Sequence, residues 1–334
     1  MSVLVIVGGF FGDEGKGKIV SYLALKDKPN AVIRGGVGPN AGHTVVHNGI
    51  PLKLRLLPSA VVSPETKLMI GAGVSINTDV LLSEIKEFSV ESRVLIDRNC
   101  LIITDEHIRR DASDHLKGTV GTTGTGTGPA NADRALRLAK LAKDEASLSD
   151  YIGSVSSEAH TIIKQGGSIH AEGSQGTFLS LYHGNYPYVT SKDVTASAIC
   201  SDIGIGPCHV RDVLVVLKSY VTRVGSGDLP GELNEQEIQS RGWSESGTVT
   251  GRSRRAAPFD FELARKAIAL NSATMLAVTK LDTLYPAAGG VREFNKLPED
   301  ARRFVNDLEK ELDLQISLIG TGPDTMDIID RREP

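Results

Sequence analysis

The sequence predicts an α/β protein that is built on a mainly parallel central β-sheet with helices on both faces. Short runs rich in Val, Ile and Leu alternate along the chain with stretches in which apolar residues recur at helical spacing. Polar, glycine-rich segments follow several of these runs, as expected for ligand loops at the carboxyl ends of parallel strands. Because no internal repeat, low-complexity tract or linker divides the chain, we expect residues 1–334 to form a single large domain with long functional loops.

The strands and helices can be assigned in chain order. Residues 3–7 form an aliphatic run that ends in Gly8 and Gly9, which indicates a buried parallel strand. Further strands are predicted over residues 31–34, 67–70, 93–97, 168–173, 212–224, 274–282 and 314–320. Helices are predicted over residues 18–24, 77–88, 105–116, 259–271 and 298–312. Asn77 or Thr78 would cap the second helix, and Pro298 stands at a favourable first-turn position of the last one.

The composition argues against several classes of protein. The formal net charge is −4, whereas a dedicated nucleic-acid binder carries concentrated Lys and Arg. No apolar run is long enough to span a membrane, and the N-terminus lacks the basic flank of a secretory signal. Cys100, Cys200 and Cys208 have no metal-binding spacing, which favours reduced thiols. These features predict a cytoplasmic protein that binds neither nucleic acid nor membranes.

A glycine-rich segment, "GDEGKGKI" at residues 12–19, follows the first predicted strand and precedes a helix. It satisfies the phosphate-loop pattern G-x-x-x-x-G-K, but Ile19 replaces the Ser or Thr whose hydroxyl usually binds magnesium. Asp13 lies inside this loop and offers a hard oxygen ligand that suits Mg²⁺. The alternative is a solvated turn with scattered charges. The strand before it and the helix after it favour a loop that cradles phosphate at a helix N-terminus.

Four other polar segments contain candidate functional residues. In "GPNAGHTVV", Asn40 and His43 could take part in acid–base chemistry or phosphate binding, although a lone loop His is more often an ordinary surface residue. The Thr/Gly loop (residues 118–129) is either a mobile linker or a lid, and Arg137 is placed on the helix that follows. The loop at residues 171–191 is rich in Tyr and contains, among its polar residues, Gln175, His183 and Thr190. An arginine cluster is either an anion grip or a solvated charge run, and it comprises Arg252, Arg254 and Arg255.

The segment "TKLD" at residues 279–282 closes an apolar strand. Asp282 could accept hydrogen bonds from the N1–H and 2-amino groups of guanine, a donor pair that adenine lacks. Lys280 could lay its aliphatic stem along the base. The pattern is short, but together with a phosphate loop it indicates GTP.

Eight segments occur in an order that resembles the adenylosuccinate synthetase family: GDEGKGK, NAGHT, GTTG…GP, EGSQGT…HGNYPYVTS, TRVGSG, TGRSRR, TKLD and GTGPD. The resemblance runs from residue 3 to about residue 324, nearly the whole chain. It implies a GTP-dependent, Mg²⁺-requiring ligation of IMP and L-aspartate to adenylosuccinate in AMP biosynthesis. In this reaction the γ-phosphate of GTP activates the C6 oxygen of IMP, and the aspartate amine then displaces phosphate.

The resemblance also implies roles for individual residues. It implies that Asp13, His43 and Gln175 take part in catalysis and that Asp13 and the Gly42 carbonyl bind the metal. The implied GTP site comprises Gly12, Gly15, Lys16, Gly17, Lys18, Gly42, Thr44, Lys280, Asp282, Gly320, Gly322 and Pro323. The implied IMP site comprises Asp13, Asn40, Thr123, Arg137, Gln175, Thr190 and Arg252, and the aspartate site comprises Thr250, Arg252 and Arg254. Arg137 would reach the IMP phosphate of a neighbouring subunit, which implies a homodimer.

The chain departs from the family pattern in a few places. It is shorter than typical bacterial and eukaryotic members, Thr125 stands where many members have Arg, and Gly320 stands where many have Ser. Two other functions are compatible with parts of the sequence. A regulatory GTPase shares the phosphate loop and the K-x-D segment, but it would have a hydroxyl after G-K. Another nucleotide-activating amine ligase is the second alternative.

Overall fold

The computed structural model describes residues 2–247 and 251–332, and within them strands and helices alternate as the sequence predicts. The strands are β1 Val3–Gly8, β2 Ala31–Arg34, β3 His43–His47, β4 Ile50–Leu54, β5 Lys67–Ile70, β6 Ser75–Ile76, β7 Val94–Asp97, β8 Leu101–Ile102, β9 Ile152–Gly153, β10 Ile169–Gly176, β11 Val210–Lys218, β12 Val221–Arg223, β13 Arg255–Ala257, β14 Met275–Thr279, β15 Ile316–Gly320 and β16 Ile328–Asp330. The α-helices are α1 Lys16–Asp27, α2 Thr78–Glu87, α3 Asp105–Asp111, α4 Thr127–Leu136, α5 Val155–Lys164, α6 Ala196–Ile203, α7 Glu235–Ser240, α8 Phe261–Asn271, α9 Leu281–Leu284 and α10 Glu299–Leu312.

One large sheet organises the described residues. Its strand order is β16-β15-β14-β11-β1-β10-β2-β5-β7-β9, and every neighbouring pair is parallel except β15 and β16. β1 lies near the middle, between β11 and β10, so the glycine-rich segment that follows it emerges at the centre of the carboxyl edge. The predicted mainly parallel α/β fold is confirmed.

Two hydrophobic cores cover the two faces of this sheet, and successive side chains of β1 belong to one core or the other. Val3, Val5 and Val7 belong to one core, whereas Ile6 belongs to the other. Residues of α5, α6, α8 and α10 fill the first core, and residues of α1 and α2 fill the second. Because both faces of the strand are buried, its sequence is continuously apolar rather than alternating.

Three predicted elements are wrong. The strand predicted over residues 274–282 ends at Thr279, and Leu281 and Asp282 belong to α9. Residues 212–224 do not form one strand, because β11 ends at Lys218 and β12 pairs antiparallel with β13 in a separate ribbon. The apolar pattern continues across the break, so nothing in the sequence marks it. The helix predicted over residues 105–116 ends at Asp111 and is followed by a π-helical turn, Asp114–Val120. There the side chain of Ser113 accepts a hydrogen bond from the Leu116 amide and starts a new turn.

Smaller corrections concern helix ends. Asn77, not Thr78, caps α2, since its side chain accepts from the Val80 amide. Pro298 precedes α10 instead of occupying its first turn. Arg137 does not lie on a helix: α4 ends at Leu136, and Arg137 adopts a left-handed backbone with φ 64°. Within residues 2–247 and 251–332, no helix combines the length and the apolar character needed to cross a membrane.

Candidate active site

A cavity of about 680 Å³ opens at the carboxyl ends of the central strands. It gathers most of the residues that the resemblance implicates, from segments spread over the chain: Gly12, Asp13, Gly15, Lys16, Gly17, Lys18, Asn40, Gly42, His43, Thr44, Thr123, Gln175, Thr190, Arg252, Arg254, Lys280, Gly322 and Pro323. Arg137, Asp282 and Gly320 are not among its lining residues. Thr250 lies outside the described residues.

Glu14 explains how the glycine-rich loop holds its shape. Its buried carboxylate accepts hydrogen bonds from the amides of Phe10 (3.0 Å) and Gly12 (2.8 Å) and pairs with Lys16 at 2.8 Å. This carboxylate therefore braces the loop from within and does not face a ligand. Asp13 and Gly15 turn the chain with left-handed backbones, at φ 61° and 83°.

Lys18 connects the glycine-rich loop to the last predicted segment, "GTGPD". Its ammonium donates hydrogen bonds to the backbone carbonyls of Gly322 and, at 2.8 Å, Asp327. Burial lowers the pKa of Lys18 to about 8, although Asp327 opposes this shift. The first turn of α1 is thereby tied to the segment that follows β15.

Asp13 extends from the loop toward the arginine cluster. Its carboxylate lies 2.7 Å from the guanidinium of Arg254. Burial raises the pKa of Asp13, and the Arg254 charge opposes that rise. A carboxylate with a raised pKa is a better proton acceptor, as a general base requires.

His43 belongs to a buried polar cluster beside the loop. Its Nδ1 lies 2.5 Å from Glu172 Oε1, and the guanidinium of Arg34 lies 2.5 Å from the same oxygen. Ser59 donates to Glu172 as well, through its hydroxyl and its amide. Burial, with the Arg34 charge, lowers the pKa of His43 to about 4. The buried Nε2 of His43 has no hydrogen-bond partner among the described residues.

Two amide side chains that line the same cavity as His43 have similarly unsatisfied atoms. Within the described part of the chain, the buried oxygens Asn40 Oδ1 and Gln175 Oε1 have no partner. Gln175 has a left-handed backbone, φ 63°, and Asn40 Nδ2 approaches Thr190 Oγ1 at 3.4 Å. Buried polar atoms are rarely left without a hydrogen bond, so unsatisfied ones that line a cavity indicate a ligand site.

The arginine cluster divides into residues with different partners. Arg252 donates to the carbonyls of Gly121 and Thr122, at 2.8 Å each, and so joins the Thr/Gly loop. Arg254 pairs with Asp13 in the cavity. Arg255, by contrast, pairs with Glu232 and does not line the cavity.

The Thr/Gly loop contains a row of hydroxyls at one of the departures from the family pattern. Thr125 lies 3.0 Å from the hydroxyl of Thr123 and 2.9 Å from that of Thr127. The loop is also shorter than predicted, because α4 begins at Thr127.

The predicted guanine site lies around the end of β14. Lys280 lines the cavity with a left-handed backbone, φ 63°, and the buried Oδ1 of Asp282 has no partner among the described residues. At Gly320, the other departure, a Cβ atom would come within 3.3 Å of Thr279 Cα. The missing side chain therefore lets the ends of β14 and β15 approach closely.

Several residues of the site were not predicted from the sequence, notably Arg34, Glu172, Lys218 and Glu245. Arg34 and Glu172 lie in strands β2 and β10 and are almost completely buried. For Arg34 the available signal was a charge at the end of an otherwise apolar strand, because buried charges are rare unless they are paired or functional. Glu172 lies among other polar residues of β10, so its strand offered no such signal. For Glu245, no local pattern distinguishes it from an ordinary surface acid.

Comparisons with known proteins show which family the chain resembles. The sequence profile of the adenylosuccinate synthetase family matches residues 5–144 and 137–288. The chain is 49% identical to the adenylosuccinate synthetase of Methanocaldococcus jannaschii over 336 residues, which cover 99% of this chain and 97% of that one.

Two solved structures share the fold. The fully ligated adenylosuccinate synthetase of Plasmodium falciparum matches with a TM-score of 0.92 and 26% identity, covering 99% of this chain and 100% of that one. The succinoaminodeoxyadenylate synthetase of cyanophage S-2L, bound to dGMP and to dATP as energy donor, matches with a TM-score of 0.82 and 26% identity, covering 99% and 96%. The chain belongs to the adenylosuccinate synthetase family, the ligases that join IMP to L-aspartate at the expense of GTP in AMP biosynthesis.

Proposed function

We propose that the cavity at the carboxyl edge of the sheet carries out both steps of this ligation, with the residue roles given below. The observation that supports this most is the convergence of Asp13, His43, Gln175 and Arg254 on one cavity from four separate segments. Unsatisfied buried atoms of His43 and Gln175 are what such a site needs before its substrates bind.

In the first step, the γ-phosphoryl group of GTP passes to the C6 oxygen of IMP. Asp13 accepts the N1 proton, the electron pair moves onto O6, O6 bonds to the γ-phosphorus, and GDP leaves. With its proton on Nε2 and its Nδ1 accepting from Arg34, His43 would donate a hydrogen bond from Nε2 to the transferring phosphoryl group, while Asn40 and Gln175 orient IMP. Positioned groups of this kind are the main source of catalysis in phosphoryl transfer.

In the second step, the neutral α-amine of L-aspartate attacks C6 and the bond from C6 to the phosphorylated oxygen breaks. Inorganic phosphate leaves with the electrons of that bond and takes up the proton that the nitrogen loses. We propose that Arg252 and Arg254, together with Thr250, hold the carboxylates of this aspartate. In the structure Arg254 pairs with Asp13. A substrate carboxylate would replace that partner and free Asp13 for the N1 proton.

We propose that GTP lies between the glycine-rich loop and the end of β14. The loop amides at Gly12, Gly15 and Gly17, with Lys16, would face the phosphates, while Thr44, Gly320, Gly322 and Pro323 would enclose the nucleotide. Lys280 and Asp282 would contact guanine. The unsatisfied Oδ1 of Asp282 supports the last assignment, because an aspartate facing guanine must accept hydrogen bonds.

The donor chemistry fits Mg²⁺. Asp13 and Gly42 line the same cavity and offer a carboxylate and a carbonyl oxygen, the hard ligands that this ion prefers. Among the described residues, no group of three or more His, Cys, Asp or Glu side chains is placed to hold a metal. The ion would therefore arrive with the phosphates, whose charge it would neutralise.

We further propose that the enzyme is a homodimer in which Arg137 contacts the IMP phosphate of the partner's site. Arg137 does not line the cavity of its own chain. Its neighbours Leu136 and Leu138 are 64% and 73% exposed, an apolar surface that a second copy would cover. We also propose that residues 1–334 act as one domain in the cytoplasm, where Cys100, Cys200 and Cys208 would stay reduced.

The reaction is tested by omission of single components. The purified chain is incubated with IMP, GTP, Mg²⁺ and L-aspartate, and the purine absorbance and the released phosphate are followed together. We expect both signals only when all four components are present. GTP hydrolysis that continues without IMP and aspartate would instead support a regulatory GTPase.

A further inference from the structure

Glu245 makes ionic contacts with Lys218, Arg254 and Lys280, yet the reaction as described above does not use it. Its Oε2 lies 2.7 Å from Lys218 Nζ and 2.9 Å from Arg254 NH1. Its Oε1 accepts a hydrogen bond from Tyr220 Oη at 2.5 Å and lies 3.6 Å from Lys280 Nζ. The carboxylate therefore touches residues of both the proposed aspartate site and the proposed guanine site.

On one side, Glu245 holds the arginine segment (described residues 245–247 and 251–254). Its backbone carbonyl accepts the Arg254 amide at 3.0 Å, and Ser246 bridges to Ser253 in antiparallel fashion. Glu245 and Arg254 therefore contact each other through both backbone and side-chain atoms. The direction of the Arg254 guanidinium is fixed between Glu245 and Asp13.

On the other side, Glu245 is anchored to the sheet. Lys218 is the last residue of β11 and is almost completely buried, and Lys280 directly follows β14. Tyr220 is fully buried and stacks on Trp243 with ring centroids 4.4 Å apart. The carboxylate is therefore attached to rigid elements and contacts both Lys280 and Arg254.

The charges of this cluster fit a dicarboxylate substrate. Lys218, Arg254 and Lys280 are positive, and Glu245 and Asp13 are their acidic partners. Burial opposes ionisation of Glu245, but Lys218 and Lys280 prevail and lower its pKa to about 2. The cluster therefore keeps a surplus of positive charge that the carboxylates of aspartate can neutralise.

We propose that Glu245 is a positioning residue that couples the guanine site to the aspartate site. When guanine lies along Lys280, the Lys280 ammonium is held against Glu245, which in turn fixes Arg254 for the aspartate carboxylate. GTP then raises the affinity for aspartate, and aspartate raises the affinity for GTP by the same factor. This inference rests on the proposed positions of GTP and aspartate in the cavity.

The test compares wild type with Glu245→Gln and with a matched control, Glu232→Gln. Glu232 pairs with Arg255, the arginine of the cluster that does not line the cavity. The KM for aspartate is measured at limiting and at saturating GTP, together with kcat, the KM for IMP and thermal unfolding. The ratio of the two aspartate KM values reports the coupling.

We expect the aspartate KM of wild type to fall at least about fivefold as GTP saturates, a typical size for coupling between two sites. In Glu245→Gln this ratio falls to about 1 and the aspartate KM rises roughly 10- to 100-fold, the scale of one charged hydrogen bond. The KM for IMP stays within about twofold, and Glu245→Asp, which keeps the charge, recovers part of the coupling. Glu232→Gln behaves as wild type.

Two results would overturn the inference: an unchanged KM ratio in Glu245→Gln, or a proportional loss in kcat and in all substrate KM values. If Glu245→Gln does not fold, Lys280→Met provides the second test, since it should abolish the GTP dependence of the aspartate KM. These results are distinguishable from a failure of the proposed function, which would be contradicted only if wild type formed no product.

Discussion

Asp13 combines a left-handed backbone, a raised pKa and an arginine partner in the proposed catalytic position. The left-handed region disfavours most residues but accepts Asn and Asp. Asp13→Asn therefore changes the charge and basicity of the side chain with little change in backbone strain. It is a sharper test of the side-chain chemistry than an alanine variant.

We expect Asp13→Asn to lower kcat roughly 10²- to 10⁴-fold, the usual contribution of a general base. Steady-state assays with all substrates saturating measure this. Asp313→Asn is the control, because Asp313 is exposed and also has a positive φ, 49°. A kcat within a few-fold of wild type in Asp13→Asn would exclude Asp13 as the base.

Asp282 is proposed to read guanine through an oxygen that has no partner among the described residues. In Asp282→Asn an amide donor replaces one acceptor, so the site should favour xanthosine triphosphate, whose position 2 carries an oxygen. We expect kcat/KM for GTP to fall roughly 10- to 100-fold, the scale of losing a charged hydrogen bond. Parallel assays with GTP and xanthosine triphosphate measure the switch, with the KM for IMP as internal control. An unchanged nucleotide preference would place guanine elsewhere.

His170 lies at the opposite end of β10 from Gly176 and provides a test of stability. Burial lowers its pKa to about 4, although Asp27 opposes the shift. Between the ordinary pKa of His and this value, the unfolded chain binds more protons than the folded chain, so stability must fall as the pH falls. From pH 7.5 to pH 5, His170 should account for a loss of about 2 kcal/mol.

Urea unfolding of wild type and His170→Gln at these two pH values measures the contribution of His170 to this loss of stability. His43 has the same low pKa in both proteins, so its contribution cancels in the comparison. We expect the stability of His170→Gln to depend less on pH than that of wild type. Parallel pH profiles for the two proteins would contradict a buried neutral His170.

At the scale of elements, the glycine-rich loop depends on how closely it approaches β14. A Cβ atom at Gly15 would lie 3.1 Å from the Thr279 side chain, and the backbone there has φ 83°. Gly166 has nearly the same backbone, φ 79°, but nothing lies within 4 Å of its Cβ position. Substitution of both glycines would strain the backbone, but only substitution of Gly15 would also displace the loop. Comparison of the two variants therefore distinguishes these effects.

We expect Gly166→Ala to cost about 1–2 kcal/mol of stability through its left-handed backbone and to leave kinetics unchanged. Gly15→Ala should bear a similar strain and, in addition, lower kcat/KM for GTP about 10²-fold, because small misplacements of reacting groups have effects of that size. Urea unfolding and GTP saturation curves distinguish the two. Equal kinetics for both variants would show that the contact with Thr279 does not position the loop.

At the scale of the whole molecule, the proposed dimer can be tested by subunit mixing. If Arg137 acts in the partner's site, Asp13→Asn and Arg137→Ala subunits are complementary. A mixed dimer then has one complete site, formed by Asp13 of one chain and Arg137 of the other. Random mixing should recover about a quarter of wild-type activity, because about half of the two-fold dimers are mixed and each has one active site.

The two variants are unfolded together, refolded and assayed, and each variant treated alone is the control. Activity that exceeds the sum of the controls supports a shared site. If the mixture forms hybrids, as mass spectrometry can show, and remains as inactive as the controls, Arg137 acts within its own chain or not at all.

The sequence by itself determined the fold class and the family. Apolar runs and helical spacing are local patterns, so β1, β2 and β5 were found nearly residue by residue. The family segments are contiguous and need no structure to be recognised. The same locality explains the failures at residues 105–116 and 212–224, where the pattern continued although hydrogen bonding changed.

Only the tertiary structure decided which groups meet. Glu172 and His43 are 129 residues apart, and Lys18 and Gly322 are 304 apart, yet both pairs are in contact. Glu14 proved to brace its own loop, and Arg254 proved to face Asp13. The physical reason is that parallel strands place their carboxyl ends together only once the order of the sheet is set. The partner of each charge, and with it the role proposed for Glu245, follows from that order.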